Sequence, residues 1–417
     1  MKRTVAILAM LVVSAIAPVT ALAGTSDQRA YAGSHVAFDT ESTAVVDYTV
    51  DGKQTVDSLR VQSQSAADSS LGLGASAGLD AVADIVGAAV SLDAQADAGA
   101  TLTTESGATV EAHDNGHGSL VVVAEESAQY VALNVSDDDA DQVSEKRAVF
   151  ETDSGATATA MVVGDGNLSV TDDGNLTAAV ADDSRLVVRS YAEGRTDADE
   201  REERMIVNET AAASVYVMTQ GGERVTDTVT YGQNTTVDVK QHAEGQVKMA
   251  VTRAEHEGRV VVTHVSNETF ETADDVSVAV DGEAAASASS YADLRAAANG
   301  GDTSKYMVKQ ASDASASADA DARVLVGINH FSTRQVTMTD AEQDSSDDDS
   351  SSGETDAASR DSDSTDDDAS GADSDGDSSA GSSGDDATAS GSGPGFGVGA
   401  VLVALIAMTG LAAGRRH

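Results

Sequence analysis

Cysteine is absent from all 417 residues. The chain therefore holds no disulfide, no thiol nucleophile and no Cys-based metal site. Tryptophan is absent too, and aromatic residues make up 3% of the chain. Basic residues are scarce: 25 Lys and Arg, of which seven are Lys, face 70 Asp and Glu. The formal net charge of −45, with no basic patch and no aromatics set among basic residues, excludes nucleic acid as a partner, because both surfaces are strongly anionic.

A charge of this size opposes compaction in dilute salt by self-repulsion. At 1 M salt the Debye length falls to about 3 Å and the repulsion is largely screened. The apolar positions favour Ala and Val over large side chains, which suits brine, where excluded salts strengthen apolar burial. The composition reads as that of a halophile's protein.

Two uncharged stretches contrast with the acidic body. Lys2 and Arg3 precede an apolar run from Val5 to Ala17, and Ala21-Leu22-Ala23 supplies small residues. Residues 1–23 thus read as a secretory signal peptide cleaved after Ala23. From Gly397 to Gly414, 18 residues carry no charge. As a helix this run measures about 27 Å, enough to cross a hydrocarbon core. Arg415 and Arg416 follow at once, as on the cytoplasmic side of a span. Between the two, residues 340–393 are Asp, Ser, Gly, Thr and Ala with almost nothing apolar, and they contain 18 of the acidic residues. Such a tract cannot bury enough surface to offset chain entropy, so it reads as a disordered stalk, its hydroxyls suited to O-glycans. Asp373–Asp377 (DSDGD) has the look of a calcium loop, but no glutamate follows at the required spacing.

Pro394-Gly395-Phe396, then a glycine-rich apolar run, then a basic end, resembles the PGF-CTERM sorting signal of halophilic archaeal surface proteins. The resemblance covers residues 394–417 only. It implies an archaeosortase-like processing enzyme that removes 397–417, and an attached lipid as the lasting anchor. Hydropathy alone leaves open whether the helix 397–414 is retained or replaced. Either way the body is expected on the outer face of the plasma membrane, in the cell envelope near any S-layer.

That body reads as mainly β. Val-rich alternating runs recur (TAVVDYTV, SLVVVAE, QYVALNV, RLVVRSY, ASVYVMT, TTVDVK, QVKMAVT, GRVVVTHV and VSVAV), with turn residues between them at the spacing of sandwiches and barrels. GDGNLSV and DDGNLTA look like successive strand–turn units. Helices are few. TDADEREERMIVNE opens with Thr196-x-x-Asp199, a capping-box pattern, and reads as a charged helix; SYADLRAAA from Ser290 reads as another. The run 78–90 is a short helix or a buried strand, which periodicity cannot decide. The expectation is two β-sandwich-like domains, 24–195 and 196–339, followed by the stalk and the sorting segment.

Six of the nine asparagines open an N-x-[ST] sequon: Asn134, Asn167, Asn175, Asn208, Asn234 and Asn267. The excess over chance favours N-glycosylation at several of them. Gly74-Ala75-Ser76-Ala77-Gly78 matches the nucleophile-elbow pattern, but it follows polar, glycine-rich sequence instead of a buried strand. His113-x3-His117 has metal-binding spacing on a helix, yet its surroundings, AHDNGHGS, read as a solvated turn. His256 and His264 are single histidines on strands, exposed or satisfied. No cofactor, metal site or catalytic residue is expected. The reading is a non-enzymatic, glycosylated, membrane-anchored surface protein with a structural, display or adhesion role. The alternatives are a surface-anchored hydrolase, built on Ser76 or on His113 and His117, and a cation- or polymer-binding ectodomain.

Overall fold

The chain is seen in a computed structural model that describes residues 30–71, 79–135, 140–152, 154–192, 194–232, 234–266, 268–270, 276–310 and 322–340. The signal segment with Ala23, the Ser76 elbow, Asn267, the acidic tract beyond Asp340, Pro394-Gly395-Phe396, the run 397–414 and Arg415–Arg416 lie outside the described residues. Among the described residues no helix is long and apolar enough to cross a membrane.

The fold is mainly β, and all nine Val-rich runs form strands. Alternation is the reason. In Ala108–His113 every second residue is buried, and Gln246–Arg253 shows the same period, so one face of each strand turns to a core. Four sheets result. Sheet I orders Tyr31–Ala32, Val36–Glu41, Ala44–Val50, Lys53–Ser63, Gln129–Asn134, Leu176–Val180 and Gly166–Val170, all antiparallel. Sheet II orders Ala140–Ser144, Arg147–Glu151, Thr157–Val163, Ser184–Tyr191, Leu120–Ala124, Ala108–His113, Gly99–Thr104 and Val90–Ala96. Sheet III orders Glu223–Thr230, Ala211–Gln220, Glu257–Val265, Ala322–His330, Lys305–Gln310 and Ala286–Ser287, with Ala211–Gln220 parallel to Glu257–Val265. Sheet IV orders Thr235–Ala243, Gln246–Arg253, Thr333–Asp340, Val276–Val280 and Glu283–Ala284. The GDGNLSV and DDGNLTA units pair as a hairpin, Leu168 opposite Ala178.

Sheets I and II draw their strands from residues 31–191, and sheets III and IV from 211–340. Side-chain parity sets the layering. Val122 and Leu186 point into a core shared with Phe38, Tyr48, Leu59 and Leu133 of sheet I. Val121, Val123 and Val187, one residue out of phase, point the other way, into a core shared with Tyr216, Met218, Val260 and Val262 of sheet III. Val215, Val217 and Val261 face a third core with Met249, Val336 and Met338 of sheet IV. The central strands of sheets II and III are thus covered on both faces, which is why Leu120–Ala124 is buried at every residue and Ala211–Gln220 at its first eight. The described residues fall within one compact unit.

Three helices punctuate the stack. α1 (Gln64–Leu71) and a 3₁₀ turn (Leu79–Asp84) cover the outer face of sheet I, where Ala67, Val82 and Ile85 meet Ala132. The ambiguous run 78–90 is resolved as a short helix, of the 3₁₀ kind: it spans Leu79–Asp84, and the next strand begins only at Val90. Gly87 breaks the run with φ +85, a conformation glycine adopts without strain. α2 (Asp197–Val207) and α3 (Tyr291–Ala298) lend Met205, Ile206, Leu294 and Ala298 to the core between sheets II and III.

Candidate functional site

The segment AHDNGHGS is the first place where structure and sequence part. Residues 114–119 are all buried, so the expected solvated turn is a buried junction. The loop leaves sheet II after His113 and touches three sheets. The Asp114 carboxylate accepts the backbone N–H groups of Ser34, His35 and Val36 at 2.7 Å each. Tyr48 of sheet I donates its hydroxyl to the Gly118 carbonyl at 3.1 Å, and Gln220 of sheet III donates to the Asp114 carbonyl at 3.0 Å. The loop then rejoins sheet II through Ser190 N–H and the His117 carbonyl.

His113 and His117 do not share a site. His113 lines a cleft of about 490 Å³ with Gln95 and Glu111 of sheet II, Thr226 and Asp227 of sheet III and Asp238 of sheet IV. Its Nδ1 lies 2.9 Å from Asp227 Oδ1, and its Nε2 3.7 Å from Glu111 Oε2. Asn115 Nδ2 donates to the other Asp227 oxygen at 2.7 Å. Burial opposes a charge on this imidazole, but Asp227 and Glu111 outweigh it and raise the pKa to about 10. His113 in turn leads the influences that hold the Glu111 pKa below its ordinary value. At neutral pH the trio is an imidazolium between two carboxylates. An imidazolium must give up its proton before it can ligate a metal or act as a base. It ties the first half of the chain to the second.

His117 looks inward. Its Nδ1 lies 3.2 Å from the Ser190 carbonyl, and its ring meets Tyr191, Tyr216 and His264 edge-on. His264 stacks on Tyr216 at 4.5 Å between ring centres. Burial depresses both histidines, with Arg189 and Arg323 adding to the effect, so both are neutral. His256 is exposed, its Nδ1 3.0 Å from the Phe331 carbonyl.

Beside His264 lies a network of buried charge that the sequence reading missed. In α2 the positions 199, 202, 203 and 206 share one face, and the chain puts Asp, Glu, Glu and Ile there, all buried. The capping box forms as expected: Thr196 accepts from Asp199 N–H, and the Asp199 carboxylate accepts from Thr196 N–H at 2.8 Å. The same Asp199 pairs with Arg323 at 2.5 Å. Glu202 Oε1 accepts from Arg189 at 2.8 Å, with Ser214 and His264 each at 3.3 Å. Glu203 accepts from Arg147, Thr159, Tyr191 and Arg195 at 2.6–3.2 Å. Although burial disfavours its charge, the Arg189 and Arg323 guanidiniums and the hydrogen bond with His264 hold the Glu202 pKa well below the carboxylate range. The available signal was the i, i+3, i+4, i+7 spacing of 199, 202, 203 and 206, matched by arginines inside valine-rich strands (RLVVRSY, ARVLV).

Among the described residues no group of three or more His, Asp or Glu is arranged to hold a metal ion. The carboxylates of α2 pair with buried arginines from the strands packed against them, and the His113 cluster instead lines the cleft.

The sequons occupy rims. Asn134 ends its strand and is exposed; Asn167 is exposed on the edge strand of sheet I; Asn208 is the exposed C-cap of α2. Asn234 is exposed at φ +55, a left-handed conformation that asparagine tolerates. Asn175 is half-buried, and its Oδ1 accepts the Val135 N–H at 3.3 Å.

No protein-family model matches the chain, and no curated protein matches it. Among solved structures it is similar to a mutant of glycoside hydrolase family 81 from Clostridium thermocellum. The sequences are 8% identical, the TM-score is 0.33, and the match covers 73% of this chain and 34% of that one. The chain spans about a third of that hydrolase's length, and a likeness this distant bears on neither fold nor activity.

Proposed function

We propose that the chain is an exported, N-glycosylated, membrane-anchored protein of a halophilic archaeal surface, whose stacked sheets act in display, adhesion or envelope structure and not in catalysis. One observation carries the reading: the order along the chain of export signal, sequon-rich β body, acidic stalk, and Pro394-Gly395-Phe396 before an uncharged 18-residue run. The exposure of Asn134, Asn167, Asn208 and Asn234 supports it, because a transferase needs an accessible side chain. So does the use of the buried charged groups as fasteners. The body would comprise two sandwiches, 24–195 and 196–339, held against each other by the α2 network and the His113 trio. An archaeosortase-like enzyme would remove the tail and a lipid would replace it.

Mass spectrometry of the protein from native membranes tests this directly. The expected mature form begins at Gly24, lacks residues 400–414 and carries sugar at several sequons. Recovery of a peptide containing 400–414 from the mature protein overturns tail removal. Cytosolic protein that retains Met1 and is bare of sugar overturns the whole reading.

A further inference from the structure

Asn134 and Asn175 lie side by side. Leu133 pairs with Leu176 in the antiparallel register, which puts the two asparagines opposite one another at the end of the ladder, with Cβ atoms about 5 Å apart. Both line one depression of about 80 Å³ on the outer face of sheet I, floored by Ala132 and walled by Ala83 of the 3₁₀ turn and by Arg60.

Their local chemistry differs. Asn134 is exposed, and its amide has no hydrogen-bond partner among the described residues. Asn175 is half-buried and already employed: its Oδ1 receives the Val135 N–H that the ladder no longer satisfies, and its own carbonyl accepts the Thr171 N–H at 2.8 Å to close the preceding turn. Arg60 is the third member. It pairs with Ala132 in register, so it sits diagonal to Asn134 on the same face, within reach of a long side chain. In a chain with 70 acidic residues, this half-buried guanidinium forms no hydrogen bond and no ion pair with any described residue. An arginine with no partner among the described residues, on the wall of a depression beside an exposed asparagine amide, is a ready donor for the hydroxyl or acidic oxygens of a sugar.

We propose that Asn134 is the modified member of the pair, that its first sugar seats in the depression against Arg60, and that Asn175 stays bare as a structural amide. This rests on the glycosylation reading above. Two measurements test it.

The first is site-resolved glycopeptide mass spectrometry of the native protein. Tryptic cleavage at Arg60, Lys146, Arg147 and Arg185 places Asn134 and Asn175 on different peptides, and fragmentation separates Asn175 from Asn167. The expected occupancy is at least tenfold higher at Asn134 than at Asn175. Comparable occupancy at Asn175, or a bare Asn134 while Asn167, Asn208 or Asn234 carry sugar, overturns the proposal alone. Sugar at no sequon overturns the glycosylation reading with it.

The second is a double-mutant cycle on protein from the native host. Arg60→Ala lowers the thermal midpoint of the glycosylated protein but leaves an Asn134→Gln background unmoved. Equal shifts in both backgrounds show that Arg60 does not touch the sugar, and they overturn the seat.

Discussion

Glu203 is fully buried, yet four side chains donate to it, two of them arginines. Removing one partner of a buried ion network strands the others in a medium of low dielectric, at about 3–5 kcal/mol. Glu203→Ala is expected to lower stability by that amount in denaturant titrations at high salt; a loss under about 1 kcal/mol would mean that the arginines find water instead. The histidines predict a pH optimum. His117 and His264, facing Arg189, Arg323, Glu202 and Tyr216, have folded pKa values below the ordinary value of about 6.5. Below that pH the unfolded chain binds protons that the folded chain does not, so stability falls as pH drops. Glu202, depressed as well, removes a further contribution at lower pH. His113 acts in the opposite sense. With its folded pKa raised to about 10, its contribution is full below about 6.5 and disappears as pH rises to about 10. Thermal midpoints at constant high salt should therefore peak near neutrality, and His113→Asn should flatten the alkaline limb. A midpoint that falls as steeply above pH 7 in that variant would reject the assignment.

Among the elements, the loop 114–119 and α2 show what periodicity can and cannot convey. The start of α2 was legible, because a capping box is local: Thr196 and Asp199 satisfy each other within one turn. Its buried face was not. Carboxylates at apolar spacing look like a solvated surface until strands bring Arg147, Arg189 and Arg323 against them, and those arginines lie 13 to 124 residues from the carboxylates they meet. The loop misled for a similar reason. Asn115-Gly116 and Gly118 describe a turn correctly, with Gly118 at φ +47, but turn chemistry carries no information on burial. A Cβ at Gly118 would lie 2.3 Å from Val50 Cγ2. Gly118→Ala combines that clash with a left-handed backbone and should destabilise the fold by about 1–3 kcal/mol, read as a lowered denaturation midpoint. Exposed Gly282, at φ +82 with nothing near its Cβ, is the control and should lose less when changed to Ala.

For the whole molecule, charge and layering are the governing quantities. With −45 on the chain, the folded state is expected to gain stability steadily from about 0.1 to 1 M salt, as the Debye length shrinks from about 10 to 3 Å. Circular dichroism melts in KCl test this, and a midpoint that does not move with salt would remove the halophile reading. The buried pairs of α2, screened little by salt, should keep the Glu203→Ala loss nearly constant across that range.

The β class, all nine Val-rich strands, the α2 cap and the sequons follow from neighbours along the chain. A period of two, a Thr-x-x-Asp pattern or an N-x-[ST] triplet is complete within a few residues, so the sequence alone determined them. The stacking of sheet II on sheet III, the burial of Asp199, Glu202 and Glu203, and the different surroundings of exposed Asn134 and half-buried Asn175 were decided only by tertiary structure. Each depends on which distant residue faces the group. Burial of a charged group in particular is conferred by a partner surface that lies far along the chain from the group it covers.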